Sequence, residues 1–264
     1  MIAFRNINYS IDGKQILKNI TFEIPSGESR VIMGHSGSGK STILRLILGL
    51  IRPDSGRILV DNQDICGVRE KQMREIRKRI GMVFQDGALF DSMSVGENVG
   101  FYLFEYSKMS PEEIEEKVKQ MLGFVGLADD IIDRLPDELS GGMQRRVAIG
   151  RALLSTNPKI MLYDEPTTGL DPQATENVIS LINRLSQMEN VTSIVVTHQI
   201  TDAFQMAKRF IIISAGEVAF DGDFEQLRHS SEPRVEEFLS PFRDRISYIT
   251  SFAVPSNPGD KNNS

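Results

Sequence analysis

The sequence predicts an α/β fold: a mostly parallel sheet covered by helices, with an N-terminal antiparallel β subdomain and an inserted helical lobe. Three observations lead there. Apolar strand runs alternate with amphipathic helical runs in the first and last thirds of the chain, the pattern of a parallel sheet flanked by helices. A glycine-rich loop stands between one such strand and the helix after it. Strand signals then vanish between residues 86 and 157, where helix signals take over.

Taken in order, Ala3–Asn8, Gln15–Leu17 and Ile20–Ile24 read as strands, punctuated by Gly13 and by Pro25 and Gly27. Arg30–Met33 is a short apolar strand, and a helix-like run covers Lys40–Leu50. Arg57–Val60 reads as a strand, residues 69–79 as a charged helix and Ile80–Phe84 as a buried strand. In the lobe, Ser110-Pro111-Glu112-Glu113 is a helix start, with an N-cap serine, proline in the first position and glutamate three residues on. Ile114, Val118, Met121, Leu122 and Val125 then recur at helical spacing. Alternation resumes with a strand at Ile160–Tyr163 and a helix from Pro172, N-capped by Asp171. Val191–Thr197 and Arg209–Ser214 are further strands.

Composition narrows the function. The 264 residues carry 30 Lys plus Arg against 36 Asp plus Glu, a net charge of −6 that argues against nucleic acid as the main partner. At 40% hydrophobic and 25% charged, the chain can bury a core and is not disordered as a whole. The single cysteine, Cys66, excludes an internal disulfide and a cysteine metal cluster, and fits a reducing compartment. Neither a secretory signal nor an apolar run of about 20 residues is visible. Work at a membrane therefore requires a partner.

Three motifs carry chemistry. Gly34-His35-Ser36-Gly37-Ser38-Gly39-Lys40-Ser41 fits G-x-x-x-x-G-K-[ST] in the strand–loop–helix context that motif needs, which makes the fold a P-loop NTPase core. Its amides and the helix N-terminus surround phosphate oxygens, Lys40 reaches the terminal phosphates and the Ser41 hydroxyl can ligate Mg²⁺. The apolar strand Ile160–Tyr163 runs into Asp164 and Glu165, a metal-holding carboxylate and a general base. Leu139-Ser140-Gly141-Gly142-Met143 would start a helix whose first turn is bare of side chains, so that a phosphate can approach its amides. Two glycines there cost about 1 kcal/mol each relative to alanine, which a ligand would explain.

Phosphate loop, Gln85 after a strand, Leu-Ser-Gly-Gly, Asp164-Glu165 and then His198 follow in an order that resembles the nucleotide-binding subunit of an ATP-binding cassette (ABC) transporter. The motifs span about 34–198 and the strand–turn spacing extends the match to about 240. One departure is Met143, where the family usually has glutamine; it leaves the glycine turn intact. The resemblance implies a single ATPase domain over 1–240, with 86–157 as the helical lobe and 241–264 as a C-terminal tail.

Further implications concern the site. ATP with Mg²⁺ lies between the loop Gly34–Thr42 of one subunit and Ser140, Gly141 and Gly142 of a second, so the subunit dimerises head to tail when ATP is bound. Tyr9 stands at the adenine-stacking position. Gln85 reads Mg²⁺ and the attacking water, with Ser41 and Asp164 as the other metal contacts. Asp171 crosses the dimer seam as well as capping its helix, and His198 contacts the γ-phosphate. By themselves His35 reads as a variable loop position and His229 as solvated surface. The segment 86–98 corresponds to the contact with an integral membrane permease, Ala88, Leu89, Phe90 and Met93 being candidates to line the groove. GALFDS and LSGGM resemble the ATPase of Mla-type (MCE-associated) phospholipid transporters more than polar-solute importers, with an MCE protein as a further partner. The location implied is cytoplasmic, held to the inner face of the membrane by the permease. Apolar Phe242, Ile246, Tyr248, Ile249 and Phe252 suggest that the tail packs on a neighbouring subunit. Competing readings are the ATPase of an importer for a polar solute such as an amino acid, a soluble ABC ATPase not tied to transport, and a non-catalytic nucleotide switch. The short spacing from Lys40 to Ser140 disfavours the second, and Glu165 and His198 disfavour the third.

Overall fold

Strands β1 (Ile2–Ile11) and β2 (Lys14–Ile24) open the chain as an antiparallel hairpin. The runs Gln15–Leu17 and Ile20–Ile24, expected as two strands, are one. The irregularity at Asn19 (φ 47°) is absorbed as a register shift against β1, where Ile7 faces Ile20 and Tyr9 faces Leu17. Asn8 holds that shift in place, its Oδ1 accepting the Asn19 N–H at 2.9 Å. Strand β3 (Ser29–Met33) leads through the glycine-rich loop into α1 (Lys40–Ile47). The helix stops at Ile47 rather than Leu50. Leu50 N–H returns to Arg45 O at 2.9 Å and Gly49, at φ 60°, returns to Leu46 O at 3.0 Å, a Schellman turn. Strands β4 (Ser55–Val60) and β5 (Gln63–Asp64) complete a four-stranded antiparallel sheet of order β2-β1-β4-β5.

Helix α2 (Glu70–Arg77) precedes β6 (Ile80–Val83). The next strand in the chain, β7 (Ile160–Asp164), is followed by α6 (Pro172–Ser186), β8 (Thr192–Thr197), α7 (Ile200–Met206) and β9 (Arg209–Ser214). Among the described residues between β6 and β7 the regular elements are helices and 3-10 turns: α3 (Val95–Tyr106), α4 (Pro111–Phe124) and α5 (Gly141–Thr156). The chain continues beyond the expected elements with β10 (Glu217–Asp223), α8 (Phe224–Arg228), α9 (Pro233–Leu239) and a 3-10 turn at Ser240–Phe242. This computed structural model describes residues 1–156, 158–188 and 191–242. Phe242, taken as the start of the apolar tail, packs against the core; Ile246, Tyr248, Ile249 and Phe252 lie outside the described residues.

The second sheet has order β10-β9-β3-β8-β7-β6, parallel throughout except for β10. Its strands alternate between two cores, as a sheet buried on both faces must. Val31, Met33, Met161, Tyr163, Val195, Phe210 and Ile212 face one core, which they share with the lobe helices, α6 and α7; Phe210 meets Phe204 of α7 edge to face. Ile32, Ile160, Leu162, Ile194, Val196, Ile211 and Ile213 face α1 and the antiparallel sheet. Each of these fourteen side chains is nearly or completely buried, and a buried aliphatic side chain is worth roughly 1.5–3 kcal/mol. That burial makes the sheet a rigid support for whatever follows its strand ends.

The lobe helices start where short polar signals place them. Ser110 and Glu113 exchange bonds at the start of α4, Glu113 N–H to Ser110 Oγ at 3.3 Å and Ser110 N–H to Glu113 Oε2 at 2.7 Å. Ser94 and Glu97 do the same for α3, Ser94 N–H to Glu97 Oε2 at 2.7 Å and Glu97 N–H to Ser94 Oγ at 3.2 Å. Asn98, one turn into α3 and wholly buried, ties down the loop before it. Its Oδ1 accepts from Phe90 N–H at 2.8 Å, and its Nδ2 faces the carbonyls of Phe90, Met93 and Ser94 at 3.0–3.1 Å. Asn98→Ala would strand these buried backbone groups, and is expected to lower unfolding stability by about 2–4 kcal/mol in a urea titration. A loss below about 0.5 kcal/mol would show that the loop finds other partners.

Candidate functional site

Strands β3, β8, β7 and β6 are parallel neighbours, so their carboxyl ends share one edge of the sheet. That edge and the loops leaving it carry Gly34–Lys40, Thr197–His198, Asp164–Glu165 and Gln85 respectively, Thr197 and Asp164 being the last residues of their strands. Ligands of open α/β sheets bind at such an edge.

The phosphate loop passes so close to β9 that a Cβ on Gly34 would lie 2.3 Å from the Ile213 carbonyl oxygen. Lys40 folds back into the loop, its buried Nζ donating to the carbonyls of Gly34 at 2.9 Å and His35 at 3.0 Å. Burial lowers the pKa of this ammonium, while the Glu165 and Asp164 carboxylates act in the opposite direction. The Ser38 hydroxyl is buried within the loop and has no partner among the described residues. A buried hydroxyl without a partner and a cation inside the loop suit a polyanionic ligand. The Ser41 hydroxyl donates to Asp164 Oδ1 at 3.0 Å. Burial pushes the Asp164 carboxyl up from its ordinary range and Glu165 adds to this; the Ser41 bond, Arg45 and Lys40 oppose it. Ser36 and Gly37 are exposed at the loop tip, and Thr42 is half-buried at the start of α1.

Glu165 is the most constrained carboxylate of the site. Its backbone sits in the left-handed region (φ 48°), a conformation that costs a residue with a side chain about 1–3 kcal/mol. The Glu165 N–H bonds to Val196 O of β8 at 2.8 Å, which holds the strained residue down. Three donors converge on Oε2: the Thr168 hydroxyl at 3.1 Å, the Thr197 hydroxyl at 3.0 Å and the His198 N–H at 3.3 Å. His198 Nδ1 lies 2.8 Å from Oε1. Glu165 is only 7% exposed, so these contacts orient it firmly. Thr168 reads from the sequence only as the start of the seam loop Thr168-Gly169-Leu170-Asp171 and Thr197 only as a strand end; neither carries a local signal for its bond to Glu165.

The other expected site residues fall in several places. Gln85 is exposed, two residues beyond Val83, which pairs with Tyr163 of β7. Tyr9 is half-buried on β1 opposite Leu17, and Leu17 abuts Gly39 of the phosphate loop, where a Cβ would meet its Cδ2 at 2.5 Å. His35 is more than a variable position: its ring meets Phe238 of α9 edge to face at 5.2 Å. His229 is exposed, as read from the sequence. Ser140 caps α5, its Oγ accepting the Met143 N–H at 3.3 Å, and Ser140 and Gly141 are exposed. Gly142 is different. It is buried, and a Cβ there would lie 2.6 Å from the Ala174 Cβ of α6, so helix packing within the chain already requires this glycine. Asp171 caps α6 through the Ala174 N–H at 2.9 Å. Helix α5 packs on α3, α4, α6 and β6, whereas α1 packs on β4, β7 and β8. The start of α1 after the glycine-rich loop and the start of α5 after Ser140 thus belong to different parts of the molecule.

Beside Gln85 a groove of about 350 Å³ is lined by Phe84, Ala88, Phe90, Phe101 and Arg151, among others. Ala88 and Phe90 line it as expected, but Leu89 does not: it turns inward against the lobe core, and Met93 is half-buried outside the lining.

Residues 17–168 match the family model described as ABC transporter. The chain belongs to that family. It is 39% identical over 239 residues to the intermembrane phospholipid transport system ATP-binding protein MlaF of Haemophilus influenzae, covering 90% of each chain. It is 42% identical over 229 residues to the methionine import ATP-binding protein MetN of Clostridioides difficile, covering 86% of this chain and 70% of that one. Among solved structures it resembles the ATP-binding cassette MJ0796, a dimer in a post-hydrolysis state bound to ADP and Pi. The TM-score is 0.77 at 36% identity, over 84% of this chain and 98% of that one. The chain is therefore the ATP-binding subunit of an ABC transporter, and an ATPase.

Proposed function

We propose that this subunit hydrolyses ATP as a homodimer and thereby drives a membrane permease that moves phospholipid. The observation that carries the chemistry is the clamp on Glu165 beside the Ser41–Asp164 pair. The loop amides of Gly34–Thr42 and Lys40 hold the phosphates, and Tyr9 stacks on the base. Ser41, Asp164 and Gln85 hold Mg²⁺. No group of three or more His, Cys, Asp or Glu side chains among the described residues could hold a metal alone. Mg²⁺ suits this sparse oxygen set, because it habitually takes one or two protein ligands and fills its sphere with phosphate and water. When bound it neutralises charge on the phosphate oxygens.

Glu165 is the general base. Its Oε2 already accepts three bonds and Oε1 one, so Oε1 is the oxygen with capacity left for the attacking water. Gln85 orients that water and His198 contacts the γ-phosphate. The exposed start of α5 at Ser140–Gly141 meets the ATP held by a partner subunit, and Asp171 stands at the same seam. One domain spans 1–240, and the aromatic groove beside Gln85 receives the permease. No helix among the described residues is long and apolar enough to cross a membrane. The proposed location is cytoplasmic, at the inner face of the membrane through the permease.

Phospholipid as the cargo rests on the GALFDS and LSGGM strings and on the MlaF relative; an MCE protein would be the further partner. The MetN relative favours a second reading, import of methionine or a similar polar solute.

Glu165→Gln should leave ATP binding intact and cut turnover about 10²–10⁴-fold, measured as phosphate release beside binding of a fluorescent ATP analogue. Near-normal turnover would remove Glu165 from the role. Ser140→Arg should spare ATP binding by the single subunit and abolish the ATP-dependent dimer on a sizing column; a dimer that persists would refute the two-sided site. In vesicles holding the subunit with its co-purified permease, labelled phospholipid should move in an ATP-dependent manner and labelled methionine should not. The reverse result would assign the chain to the importer reading.

A further inference from the structure

Gln85 has an exposed side chain on a loop, yet the proposed chemistry needs it in one place. The backbone on either side is held from outside. Arg145, on the second turn of α5, donates through Nη1 to the Phe84 carbonyl at 2.5 Å. Arg151, further along the same helix, donates to the carbonyls of Gly87 at 2.9 Å and Ala88 at 2.8 Å. Gly87 N–H closes a turn onto Phe84 O at 2.9 Å, so the Arg145 bond falls on the carbonyl that anchors the whole turn.

Arg145 is an unusual choice for that position. It is 5% exposed, and its Nε is buried with no partner among the described residues. Among the described residues no carboxylate pairs with it within salt-bridge distance, although the Asp86 charge reaches it. Burying a guanidinium with one carbonyl bond and an idle donor is unfavourable. A helix built for packing alone would carry an apolar side chain there.

We propose that Arg145 is a positioning residue for hydrolysis: by holding the Phe84 carbonyl it sets where Gln85 stands. This rests on the reading of Gln85 as the residue that orients the attacking water. A rigid helix then carries Ser140 at its start and Arg145 five residues on, about 7.5 Å along its axis. The Gln85 loop follows α5 wherever α5 goes.

The test is a double-mutant cycle on the full-length subunit, reading ATPase kcat, KM for ATP and the melting temperature. Arg145→Met keeps much of the volume and removes the bond. It should lower kcat roughly ten- to hundredfold, on the order of the worth of a hydrogen bond to a charged group, and move KM less than about twofold. In a Gln85→Ala background the same change should cause no further loss, because the group it positions is gone. Arg145→Lys, which keeps the charge and a donor, should recover part of the rate. If Arg145→Met fails to fold, the cycle is run with Arg145→Lys, whose partial loss should likewise vanish in the Gln85→Ala background. Losses that multiply in the double variant, or an unchanged kcat, would overturn the proposal. A wild-type protein without ATPase activity, or Gln85→Ala at full rate, would instead overturn the underlying reading of the site.

Discussion

Parallel alignment of β3, β8, β7 and β6 is the constraint on which the site depends. Parallel strands end on the same side, so four loops far apart in sequence, after residues 33, 83, 164 and 197, leave one edge together. Two packed faces keep that edge rigid: the lobe helices and α6 on one side, α1 and the antiparallel sheet on the other. Against this support a strained Glu165 can persist, because Val196 and Thr197 of the neighbouring strand, and His198 just after it, hold its backbone and its carboxylate.

The lobe contributes by a different physics. Its loops have no sheet to pair with and are held by single side chains from the helices: Asn98 for 90–94, Arg151 for 87–88, Arg145 for Phe84. Such attachments are strong enough to define a position and few enough to move as a unit with the helix that carries them. The groove that opens between Phe84, Phe90 and Phe101 has one of these arginines in its wall. Contact there and the placement of Gln85 are therefore mechanically close.

Legibility followed from how local each signal was. The phosphate loop, the Ser110 and Asp171 caps and the strands ending at Met33 and Asp164 could be read because each is written within a few adjacent residues. Gly142 was read as space for a ligand, whereas its packing against Ala174 needs two helices to be placed first. Leu89 was assigned to the groove for its apolarity, and only the fold decides which of two neighbouring apolar residues faces inward.

What the sequence determined by itself was the inventory: strand and helix periodicity, the Gly34–Ser41 loop, two carboxylates after a strand, and the order that shows the family. Tertiary structure alone decided the geometry between them. The hydroxyls of Thr168 and Thr197 on one carboxylate, the His35–Phe238 ring contact and the Arg145 hold on Phe84 join residues 3 to 203 positions apart. Contacts of the longer kind leave no periodicity along the chain, because they are made by the packing of elements and not by the conformation of neighbours.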